Sequence, residues 1–152
     1  MNKIIISIVF IAALFTACKN EHGHSHEGDT NTELETLAYT LYTNKTELFV
    51  EFKPLVVGET SKFAAHFTQL GENFTAVTDG SVSVSLIGEK KQPTYKVDAP
   101  SSPGIFRLAL NPKNAGIYTL VYDIKTKEFS DKITINNVFV FPDTKSALGY
   151  AL

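Results

Sequence analysis

With 152 residues, 16 acidic against 14 basic side chains and a formal charge of −2, the chain has the size of one domain. It lacks the surplus of Lys and Arg that nucleic-acid phosphates require, so nucleic acid is not an expected partner. A single cysteine cannot close an internal disulfide, while 11 Phe and 6 Tyr supply aromatic bulk for a β-rich core.

Residues 1–17, MNKIIISIVFIAALFTA, place one cation, Lys3, before an apolar run from Ile4 to Phe15. Small and hydroxylated residues then lead into Cys18. This is the layout of a secretory signal peptide. The apolar run falls short of the roughly 20 residues that span a bilayer as a helix. LFTAC is similar to a bacterial lipoprotein signal, so Cys18 is expected to be acylated and to anchor the mature chain to a membrane of the cell envelope. Phe15 stands where Leu is usual, with Leu14 one place earlier. Loss of residues 1–17 would remove one cation and no acid, leaving a mildly acidic periplasmic protein.

Residues 18–37 are polar and acidic and read as a flexible tether behind the lipidated cysteine. Within it, EHGHSHEGD sets His22, His24 and His26 on alternate positions. An extended backbone puts alternate side chains on one side, about 6.5–7 Å apart at their origins. Gly23 and Ser25 allow the chain to close that gap, and Glu21, Glu27 and Asp29 add carboxylates. Neutral imidazole suits zinc, copper(II), cobalt and nickel. Copper(I) and silver(I) prefer sulfur, and the chain beyond Met1 has no methionine and no cysteine besides Cys18. A transiently bound divalent ion is therefore expected at His22, His24 and His26, with affinity limited by the cost of ordering the chain.

From Tyr39 the texture changes. AYTLYT, TELFVEF, SKFAAHFTQL, SVSVSLI, GIFRLALNP, AGIYTLVYDI and DKITINNVFVF are short runs rich in β-branched and aromatic residues. TDG, APSSPG, NPKNAG and FPD separate them. Strict alternation in SVSVSLI puts Val82, Val84 and Leu86 on one face and the serines on the other. Turn signals about every ten residues predict an all-β, single antiparallel β-sandwich of immunoglobulin-like type over 38–142. Tyr118, Leu120 and Tyr122 share a face, with Tyr118 near the corner where such sandwiches often place a tyrosine. Residues 143–152 read as a tail.

His66 is the one histidine of the domain. Phe63, Ala65 and Phe67 share one face of its strand, and Ala64, His66 and Thr68 share the other. It reads as a half-exposed strand residue or, with Glu47 or Glu51 of the neighbouring strand, as a second metal site. No nucleophile elbow, phosphate-cradling glycine loop or His-Glu-x-x-His is present, and no enzymatic activity is expected.

The stretch from YTLYTNKTELFVEF through FAAHFTQL to SVSVSLIG, followed by DAPSSPGIFRLALNPKNAGIYTLVYDI, resembles the N-terminal region of periplasmic adaptor subunits of heavy-metal RND efflux pumps. These are membrane fusion proteins of the type found in Bacteroidetes-like bacteria. The resemblance covers about residues 18–142 and includes the His-rich tether behind a lipidated cysteine. It implies capture and hand-over of a divalent metal, or service as an adaptor component, with an RND pump, an outer-membrane channel or other adaptor subunits as partners. No stretch resembles the lipoyl-like, hairpin, barrel or membrane-proximal modules of such adaptors. The competing expectation is a metal-independent β-sandwich lipoprotein that docks on envelope proteins.

Overall fold

A computed structural model describes residues 33–150. Cys18, His22, His24 and His26 lie outside them. The chain forms two five-stranded sheets packed face to face, as alternation and turn spacing require. One sheet holds β1 (Leu37–Tyr42), β2 (Thr46–Phe52), β4 (Ser61–Gln69), β5 (Thr75–Ala76) and β8 (Ile105–Leu110). Its order is β1-β2-β4, with β5 and β8 both paired to the far side of β4. The other runs β3-β10-β9-β6-β7, from β3 (Leu55–Val56), β6 (Ser81–Ile87), β7 (Thr94–Val97), β9 (Gly116–Lys125) and β10 (Ser130–Phe141).

The chain crosses between sheets at its breakers. Pro54, which cannot donate to a ladder, ends β2, and Leu55 and Val56 pair parallel with the end of β10. Every other pairing is antiparallel. The segment from β2 to β3 thus contributes to both sheets of an all-β sandwich, its second part parallel to the last strand. β1 extends the first sheet by one strand through the Asn44–Lys45 turn, where Thr43 N donates to Thr46 O at 2.9 Å.

The core lies between the sheets. Leu48, Val50 and Phe52 of β2 and Phe63, Ala65 and Phe67 of β4 face Val82, Val84 and Leu86 of β6 and Tyr118, Leu120, Tyr122 and Ile124 of β9. Phe106, Leu108 and Leu110 of β8 and Ile133, Ile135, Val138 and Val140 of β10 complete it. Full burial of each Leu, Val or Phe contributes about 1.5–3 kcal/mol before chain entropy is subtracted. Phe63 meets Tyr122 edge-on at 6.3 Å between centroids, a contact from sheet to sheet. Tyr118 closes its corner: its hydroxyl donates to Asn114 O at 3.2 Å, and its ring covers Gly88 so tightly that a Cβ there would sit 2.5 Å from Tyr118 Cδ1.

Two features depart from the expected tail and uniform alternation. Residues 144–150 form a helix, α1 (Thr144–Tyr150), in which Ala147 is buried. Tyr150 packs on Phe139 and Phe141 at 5.0 and 5.4 Å. In β10 the register shifts between Ile135 and Val138, and Asn137 takes φ 57°, so the inward face resumes at Val138 after one bulge.

Candidate functional site

The outer face of the first sheet carries the candidate site residues within the domain. β2 and β4 pair with Phe49 opposite His66, Glu47 opposite Thr68 and Glu51 opposite Ala64. Since alternate residues share a face, Glu47, Phe49, Glu51, Ala64, His66 and Thr68 all project outward, away from the buried Leu48, Val50, Ala65 and Phe67. His66 is half-buried by this ladder. The direct cross-strand position belongs to Phe49, whose ring meets the imidazole edge-on at 5.8 Å and 61°.

Glu47 and Glu51 are the two diagonal neighbours of His66, at roughly 7–8 Å between backbones. Four residues apart on one strand, they are themselves separated by roughly 13 Å, with Phe49 between them. Glu47 also accepts a hydrogen bond from Tyr42, which raises the Tyr42 phenol above its ordinary value, the carboxylate charge adding to the effect. The structure thus brings His66, Glu47 and Glu51 to one face without converging them. Among the described residues no group of three His, Cys, Asp or Glu side chains is placed to hold a metal ion.

The register places a second feature on the same face. Arg107 of β8 stands opposite Ala64, which stands opposite Glu51. The small Ala64 leaves an open groove of about 660 Å³ that Glu51, Lys62, Arg107 and Tyr95 line. Alternation in GIFRLALN, with Phe106 and Leu108 buried, is the sequence signal that turns Arg107 outward. Its neighbours depend on strand order, which no local pattern carries.

At one end of the sandwich, Asp131 ties the sheets together. Its Oδ2 accepts from Thr43 Oγ1 and, at 2.6 Å, from the fully buried Thr46 Oγ1; its Oδ1 accepts from Lys132 N at 2.8 Å. Burial raises the carboxyl pKa, but the hydrogen bonds from Thr43, Thr46 and Lys132 N and the charge of Lys45 overcome it, holding the group below the ordinary aspartate value. Lys45 reaches across the same junction to Ser130 O at 3.0 Å. This is a structural clasp, with its acceptor capacity spent on the fold.

No family model, curated protein or solved structure matches the chain.

Proposed function

We propose that the protein is a lipid-anchored cell-envelope β-sandwich that gathers a divalent cation and hands it to a heavy-metal efflux system. The observation that carries this reading is the His22, His24, His26 series directly behind Cys18. Three imidazoles within five residues form a ligand set for zinc, copper(II), cobalt or nickel. Ordering a polar segment weakens binding and speeds exchange, which suits delivery better than storage. The metal is cargo, and ligand exchange moves it with no bond to carbon, oxygen or phosphorus made or broken, so no catalytic residue is assigned. The RND pump, its outer-membrane channel and adaptor subunits enter as partners through the resemblance of residues 18–142 alone.

The competing reading is a metal-independent docking lipoprotein, in which the sandwich itself is the working part. Titration calorimetry with zinc separates the two. Micromolar-range binding, lost when His22, His24 and His26 are all replaced by Ala and weakened as pH falls through about 6.5, supports cation capture. Equal binding by the wild type and the triple variant would remove it and leave the docking module.

A further inference from the structure

β1 is an edge strand, and among the described residues only β2 pairs with it. The bond from Thr43 N to Thr46 O makes these two a hydrogen-bonded pair, and antiparallel pairs alternate between bonded and non-bonded. Leu41, Tyr39 and Leu37 therefore direct their backbone polar groups toward β2. Ala38, Thr40 and Tyr42 direct theirs outward, along the free edge.

Folded proteins guard such edges with brevity, proline, charge or a bulge. The other edges here are guarded. β3 and β5 have two residues each. β7 follows Pro93 and carries Lys96; β8 carries Arg107 and has β7 beside it. The open flank of β10 carries Asp131 and Lys132 and is bent by the bulge ending at Asn137. β1 reads LAYTLY, with no proline, charge or register shift along its six residues.

Beside this edge runs a groove of about 410 Å³. β1 forms one wall with Leu37 and Tyr39; β10 and α1 form the other with Phe139, Phe141 and Tyr150. Leu37, Phe139 and Tyr150 keep 36, 36 and 65 % of their surface exposed. Glu35 is the one charged side chain in the lining.

We propose that β1 and this groove receive an extended segment of another protein as an added strand. The guest's backbone pairs with Ala38, Thr40 and Tyr42, its alternate apolar side chains fill the groove, and a Lys or Arg at its end meets Glu35. Charge complementarity selects another protein over a second copy. Residues 33–36 upstream of β1 carry only acidic charges, and Lys45, the first cation downstream, is held by Ser130 O. The site is independent of whether His22, His24 and His26 bind metal.

The test uses the full chain in a non-ionic detergent and a fluorescent probe peptide, Lys-Val-Thr-Val-Thr-Val-Lys, with anisotropy as readout. Saturable binding is expected, falling at least about tenfold when alternate peptide nitrogens are methylated and again when Thr40→Pro removes an outward N–H. Proline at that position spares the bonds to β2, so the melting temperature checks that Thr40→Pro still folds. Glu35→Lys is expected to weaken the Lys-ended probe and favour a Glu-ended one. Should Thr40→Pro fail to fold, the methylated probe and Tyr150→Ala carry the test. Absence of saturable binding, or equal binding of the methylated probe, overturns the proposal. So does concentration-dependent dimerisation, abolished by Thr40→Pro, without peptide binding; a second copy would then be the occupant.

Discussion

Two single residues define opposite solutions to burying oxygen. Tyr122 is fully buried, and its hydroxyl has no hydrogen-bond partner among the described residues. Burial first, and then the neighbouring Tyr39, push its phenol well above the ordinary value, so it stays neutral and merely unpaired. An unpaired buried hydroxyl costs about 1–3 kcal/mol, and Tyr122→Phe removes it while keeping the ring against Phe63. Thermal or urea unfolding is expected to show Tyr122→Phe as stable as the wild type or more so, by up to that amount; a clear loss would reveal a partner for the hydroxyl. Asp131 is the contrary case, its carboxylate accepting from Thr43 Oγ1, Thr46 Oγ1 and Lys132 N. Its folded pKa lies below the unfolded value, so the clasp contributes stability fully above the ordinary aspartate pKa near 3.8 and loses it as pH falls through the lower, folded value. Asp131→Asn keeps one acceptor and loses the charge, and is expected to cost about 1 kcal/mol at neutral pH. Melting curves from pH 6 to pH 2 check the sign: the gap between wild type and variant should narrow only at the acid end.

Elements were legible in the sequence where one face is buried and the other wet. In β6 the alternation of Ser81, Ser83 and Ser85 with Val82, Val84 and Leu86 is the burial pattern itself. β4 and β9 follow for the same reason, with His66 outward and Tyr118, Leu120 and Tyr122 inward as the period demands. What stayed hidden depends on long-range pairing. β3 is two residues whose strand character comes from β10, more than eighty positions away. The placement of Glu47, Phe49 and Glu51 on one face of their strand was readable from alternation, but that Phe49 and neither carboxylate stands directly opposite His66 is a consequence of register. The helix α1 is too short for a hydrophobic period, and its cap lies in FPD, which reads in the sequence only as a turn signal. Asp143 follows Pro142 and accepts from Ser146 N at 2.8 Å. That backbone bond, then the Ser146 side chain and Lys145, lower the Asp143 pKa against a small effect of burial. Asp143→Ala removes that cap and should loosen α1. Amide exchange would show this as faster exchange over 144–150 with the two sheets unaffected. Slowed or unchanged exchange there would mean that Tyr150 on Phe139 and Phe141 holds the helix without its cap.

For the whole molecule, the question is whether cation binding and folding are linked, and linkage distinguishes the two possible ligand sets. A ligand stabilises a fold only to the extent that it prefers the folded chain to the unfolded one. His22, His24 and His26 fall within five consecutive residues, so the unfolded chain already offers them as neighbours. Zinc bound there should give heat in a calorimeter and leave the melting temperature nearly where it was. His66, Glu47 and Glu51 share a face only because β2 pairs with β4, so a cation held by them binds the folded chain alone. At a free concentration of 100 times the dissociation constant it would add about 2.7 kcal/mol to stability. The expected result is binding without a thermal shift, with the heat abolished by the triple Ala variant and unaffected by His66→Ala. A thermal shift that survives the triple variant and disappears with His66→Ala would move the cation from the histidine series to the outer face of the sandwich. It would also require Phe49 to move aside, because its ring packs edge-on against the His66 imidazole and its strand position lies between those of Glu47 and Glu51.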